Sequence, residues 1–130
     1  MGQKEKIHFW LLAAEKDWQV CAHLFDKRDY PYALFFGHLV LEKTLKALLV
    51  ACNNQTSPFT HRLVLLAEKT GLELDSAQLE ILEAVTDFNL ESRYPDEQFT
   101  FHKKCTQEFT QKWLDKIEGI RTWLLQEIRS

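Results

Sequence analysis

The chain has 130 residues, the usual size of one domain, and its 45% hydrophobic and 27% charged residues are enough to close a single core. Only 4 Gly and 3 Pro argue against a turn-rich β architecture, and a formal net charge of −3 excludes bulk non-specific DNA binding or adhesion to an anionic membrane. Cys21, Cys52 and Cys105 form no C-x-x-C pair, which excludes a disulfide framework and a thiolate zinc site.

Ile7, Leu11, Ala14, Trp18, Cys21 and Phe25 recur at alternating spacings of four and three, so the first helix is expected over Gln3 to Phe25. The stretch Met1 to Lys6 is charged and is followed by no signal-peptide apolar region. No apolar run reaches membrane-spanning length, and a soluble, cytoplasmic chain is expected. Asp26 to Tyr30 breaks the stripe. Pro31 suits a first helical turn, where its missing N–H is harmless, and a second helix follows over Tyr32 to Cys52.

Asn53 to Pro58 is turn material, and a shorter third helix runs from His61 to Thr70, closed by Gly71 at C′. Thr60 or Ser57 is the expected cap, which would put His61 and Arg62 in the first turn. Asp75 followed by Gln78 has the form of a capping box, and Ile81, Leu82, Val85 and Phe88 carry a fourth helix to about Phe88. Asn89 to Cys105 shows no helical stripe and reads as a long connection, the kind of segment that often carries function. From Thr106, the residues Phe109, Trp113, Ile117, Ile120, Leu124 and Ile128 form the last stripe. The fold class is therefore all-α, an up-and-down bundle of about five helices in one domain spanning residues 1–130.

Three segments carry polar groups that could act chemically. On helix two, His38, Glu42 and Lys46 stand four residues apart in a polar row on an otherwise apolar helix. Such a row is either an ordinary exposed ion pair, worth about 0.3 to 0.5 kcal/mol, or the lining of a cleft or dimer seam. His61 and Arg62 lie where helix three begins, where backbone N–H groups attract anions. Alternatively, His61 completes a local hydrogen-bond network under the turn. Arg93 and Tyr94, ahead of Pro95, can grip a phosphate by forked hydrogen bonds and stack on a base, or else clamp a helix end. His102, Lys103 and Lys104 add a small basic run.

No Gly-rich phosphate loop, H-E-x-x-H, EF-hand loop or G-x-S-x-G is present, and the five His and three Cys are too scattered to assemble a metal site. No metal, no cofactor and no catalytic residue is assigned. Trp10, Trp18, Trp113 and Trp123 sit in the terminal helices at helical spacing and are read as packing residues, with Trp18 expected to be buried.

Four short pieces in order carry a resemblance over nearly the whole chain: Trp10, Ala14, Asp17 and Ala22; the run Glu42 to Ala47; Thr60 to Leu63; and Arg93 to Asp96. Together the sequence is similar to the HEPN family, a helical domain named for higher eukaryotes and prokaryotes and for its link to nucleotide binding. The resemblance implies an up-and-down helical bundle, a homodimer and a minimal nucleotidyltransferase as partner subunit. Many members are metal-independent ribonucleases with an Arg followed by a His one to two helical turns later. No Arg here has a His at that distance, and the nearest pair, Arg93 and His102, is farther apart.

The expected function is accordingly a non-catalytic binding or partner module, in which His38, Glu42, Lys46, His61, Arg93 and Tyr94 surround one concave site for a nucleotide or other anionic ligand. The alternative is a divergent metal-independent ribonuclease toxin of a toxin–antitoxin pair, working through Arg93 and His102.

Overall fold

The computed structural model describes residues 1–54 and 59–129. In chain order the helices are α1 (Gln3–Asp26), α2 (Tyr30–Asn53), α3 (Leu63–Lys69), α4 (Ser76–Arg93), α5 (Thr100–Lys104) and α6 (Gln107–Arg129), and there is no strand among the described residues. The architecture is all-α, with α1, α4 and α6 packed against α2 and the short α3 resting on α2 and α4.

The central place of α2 follows from its sequence. Leu34, Leu41, Leu45, Leu48 and Leu49 are all buried and point in several directions around the helix. A helix that is apolar on more than one face must be covered on more than one side. The approach to α6 is close at Gly37, where an added Cβ would stand 2.7 Å from Ile117 Cδ1. α1 is fixed to α2 by its apolar stripe and by an ion pair at 2.6 Å between Asp17 and Lys43.

Several boundaries differ from those expected. α2 begins at Tyr30 because the Asp29 carbonyl already accepts from the Ala33 N–H at 2.9 Å. α4 runs to Arg93 instead of stopping near Phe88. Its buried face continues through Asn89 and Ser92, whose side chains are polar, so the apolar stripe ends before the helix does. Ser92 Oγ is satisfied by the Phe88 carbonyl at 2.7 Å, which is what lets a hydroxyl lie fully buried there.

The expected long connection from Asn89 to Cys105 is therefore mostly helix. Within it, α5 is one extra turn organised around a single anchor, Phe101, which is buried against Phe88. Asp96 supports this turn from below, its Oδ1 accepting from the Thr100 N–H at 2.8 Å. Five residues with one apolar anchor cannot display a period, which is why six helices stand where about five were expected.

The capping box of α4 is formed as expected, with Asp75 Oδ1 accepting from the Gln78 N–H at 2.8 Å and Gln78 Oε1 from the Asp75 N–H at 2.9 Å. Gly71 follows α3 in the left-handed region, at φ 84°. Helix three itself starts at Leu63, so His61 and Arg62 precede the helix rather than occupying its first turn. Thr60 Oγ1 accepts from the Arg62 N–H at 3.2 Å and shapes the approach to the helix without capping it. The other expected cap, Ser57, lies outside the described residues. Trp18 is half-buried, with the Arg121 guanidinium 5.4 Å from its ring centre, so it borders the core rather than filling it.

Candidate functional site

The polar row on α2 faces inward, toward the segment that leads into α3. His38 has no exposed surface and Glu42 is 4% exposed, so neither belongs to an ordinary solvated ion pair. Glu42 takes a hydrogen bond on each carboxylate oxygen: Oε1 is 2.6 Å from His61 Nδ1, and Oε2 is 3.3 Å from the Lys46 ammonium. The second contact joins adjacent turns of one helix, while the first crosses from α2 to the chain before α3. Lys46 Nζ also stands 5.1 Å from the centre of the Trp10 ring, so its charge is held between a carboxylate and an aromatic face.

His38 reaches the same segment by another route. Its Nε2 is 2.9 Å from the His61 backbone carbonyl, an acceptor, so Nε2 carries the hydrogen. Burial disfavours the imidazolium and pulls the proton affinity of His38 below the ordinary histidine value, and the charges of a protonated His61 and of Arg93 act in the same direction. The hydrogen bond to the His61 carbonyl and the charge of Glu42 oppose this without overcoming it. His38 is thus a neutral imidazole with Nε2–H donating. Its Nδ1 lone pair is buried and has no hydrogen-bond partner among the described residues. The 4.0 Å between His38 Nε2 and Glu42 Oε1 is too long for a hydrogen bond.

These contacts decide how His61 is presented. Its backbone is held by His38 and its ring by Glu42, yet 60% of its side chain is open to solvent. With Glu42 accepting as a carboxylate, His61 Nδ1 donates, and Nε2 is left as the free nitrogen of an oriented ring.

Arg93 and Tyr94 form a second group toward the beginning of α2. The Arg93 guanidinium lies 4.9 Å from the Phe35 ring centre and 5.4 Å from that of Tyr94. It is fastened back to its own helix, Nε donating to the Asn89 carbonyl at 2.9 Å and Nη2 to Asn89 Oδ1 at 2.6 Å. Tyr94 is 69% exposed.

Of the six residues expected around one concave site, His38, Glu42, Lys46 and His61 meet directly. Arg93 and Tyr94 join them only through the field of Arg93 at His38. From Phe35 to Lys46 the strip measures about 16 Å at roughly 1.5 Å per residue, so this is an elongated face rather than a single pocket. Phe35, Asn89 and Trp10 complete the arrangement and were not singled out from sequence. Trp10 was visible as a packing residue and as part of the family resemblance but not as a neighbour of Lys46, and nothing in the sequence marked Asn89.

His102 departs from the role considered for it. Its Nε2 donates to the Ser92 carbonyl at 2.9 Å, and its ring has edge contacts with Tyr32 and Phe99 at 5.7 and 5.6 Å between centres. Beyond it, Cys105 is buried near Glu91, and its thiol is pushed up to about 12, chiefly by burial. No group of three or more His, Cys, Asp or Glu suited to a metal ion occurs among the described residues, and no helix among them is long and apolar enough to cross a membrane.

Comparison with known proteins agrees with the helical architecture. The family model described as HEPN domain matches residues 7–128, nearly the whole chain. No curated protein and no solved structure matches it.

Proposed function

The chain belongs to the HEPN domain family, and from that membership we propose that it is a non-catalytic nucleotide-binding module whose ligand lies along the α2 strip. The observation that carries this reading is the Arg93 guanidinium, exposed at the surface and stacked between Phe35 and the open ring of Tyr94. Asn89 engages Nε and Nη2, which leaves Nη1 to donate to a phosphate, while Tyr94 supplies a flat surface for a base. At the other end, the Lys46 ammonium offers N–H groups to a second anionic part of the ligand, and the bare Nε2 of His61 can accept from a polar one.

The ribonuclease alternative ranks second in this proposal. Cleavage through Arg93 and His102 would need His102 free to exchange a proton with substrate, and its Nε2–H is engaged by the Ser92 carbonyl.

We further propose that the module acts as a homodimer or against a minimal nucleotidyltransferase. Tyr32, Leu90, Tyr94 and Phe99 are large apolar side chains left exposed, Tyr94 beside Arg93 and Tyr32 and Phe99 against His102, the composition typical of protein interfaces. Light scattering tests the first of these, and a monomer mass throughout the micromolar range would overturn it.

Titration calorimetry with AMP and ATP tests the ligand reading. Arg93→Ala is expected to weaken binding by about tenfold or more, through loss of a charge-assisted phosphate contact. Absence of heat with either nucleotide at millimolar concentration would refute the reading. Equal affinity of wild type and Arg93→Ala would show that Arg93 serves only the end of α4.

A further inference from the structure

The arrangement around His61 is more elaborate than holding a loop requires. Burying a carboxylate and a histidine is unfavourable unless each is well partnered, and an apolar contact would fasten the segment before α3 as well. Here two buried polar groups converge on one residue. Glu42 holds the ring by Nδ1 at 2.6 Å, His38 holds the backbone carbonyl at 2.9 Å, and Lys46 on the second oxygen prevents the carboxylate from turning away. The turn is fixed on its far side by Thr60 Oγ1. What these supports leave open is the Nε2 lone pair, on a side chain 60% exposed.

A carboxylate hydrogen-bonded to one imidazole nitrogen fixes the tautomer and the ring orientation, and leaves the lone pair on the other nitrogen. Because Glu42 is almost completely buried, water does not compete for that bond. The ring is therefore oriented, with its one free lone pair on an exposed side chain. The other histidines lack this combination: His38 is buried, His102 is packed between rings, and His8 and His23 are exposed without a side-chain partner among the described residues.

We propose that His61 Nε2 is a nucleophilic phosphoryl acceptor, converted to a phosphohistidine by small activated phosphoryl donors of the acyl phosphate class. In the step, the Nε2 lone pair forms the P–N bond while the P–O bond to the acyl group breaks, and the carboxylate leaves with that electron pair. The Nδ1 proton stays on the ring, and the positive charge gained by the imidazole is balanced by the Glu42 carboxylate beside it. Glu42 and His38 are positioning residues in this scheme. The proposal goes beyond nucleotide binding and does not depend on it.

The test is to incubate the full chain with acetyl phosphate and follow the mass of one phosphoryl group, stable in alkali and lost in warm acid, by peptide mapping. His8 and His23 are the internal reference. His61 is expected to be labelled roughly 10-fold to 100-fold faster than either, and Glu42→Gln is expected to bring it down to their rate. Labelling of His61 no faster than of His8 and His23 overturns the proposal, as does an unchanged rate in Glu42→Gln. Because Glu42→Gln could loosen the segment, nitrogen NMR of labelled histidine provides a reading on the wild-type chain: His61 must show protonated Nδ1 and bare Nε2, and the opposite tautomer refutes the mechanism. Nucleotide titration of the same samples separates the two ideas, since intact nucleotide binding without labelling sinks this proposal alone.

Discussion

The buried neutral histidine makes a quantitative prediction about acid stability. Native His38 resists protonation because it is wholly inside, whereas the unfolded chain protonates it near the ordinary value of 6.5. The sign follows from linkage. Above 6.5 both states are neutral at this position and its full contribution is present; as pH falls, the unfolded state takes up a proton that the native state refuses, and stability is lost. If native His38 stays neutral throughout, the loss between pH 6.5 and 5.5 is about 1 kcal/mol, approaching a slope of about 1.4 kcal/mol per pH unit. The informative variant is His38→Gln, whose amide N–H can donate to the His61 carbonyl but cannot titrate. Urea unfolding of both proteins at pH 7.5, 6.5 and 5.5 yields the difference in slope, in which His8, His23 and His102 cancel because none of them acts on His38. Glu91, whose proton affinity burial raises from 4.5, works in the opposite sense and belongs to a more acidic range. Parallel stability curves for the two proteins would refute the neutral, buried assignment of His38.

Other consequences are simpler to read. Gly37→Val should destabilise by about 1 to 3 kcal/mol in thermal or urea unfolding, because the new side chain must displace Ile117 from the α2–α6 contact; an unchanged midpoint would mean that α6 shifts freely. Asp75→Ala, which removes the carboxylate that accepts from the Gln78 N–H at the start of α4, should cost about 1 kcal/mol by the same assay. Of the three thiols, exposed Cys52 should react rapidly with a disulfide reagent in the native protein, while Cys21 and Cys105, both buried and raised to about 12, should react only after unfolding. Rapid loss of a second thiol would show that the α1–α2 or α5 packing opens readily.

The sequence by itself determined the helical class and most of the helix positions. In α1, α2 and α6 the apolar residues return every three or four positions, and only a helix buries such a set together. The same reasoning located the Asp75 capping box and the Gly71 terminus, because these are local devices with few residues and fixed spacing. It failed where burial is polar. Asn89 and Ser92 continue the inner face of α4, and no hydrophobic pattern can announce a buried hydroxyl that donates to the Phe88 carbonyl or a buried amide that accepts from the Arg93 guanidinium.

The candidate site divides in the same way. The four-residue spacing of His38, Glu42 and Lys46 was legible as a row, since helix geometry alone aligns it. That the row faces inward, that Glu42 reaches His61 across 19 positions of sequence, and that His38 donates to the carbonyl of that same residue were decided only when α3 packed against α2. The charge state of His38 was likewise set by tertiary structure, because desolvation comes from residues distant in the chain. Sequence named the groups; packing determined which nitrogen of which histidine remains open to solvent.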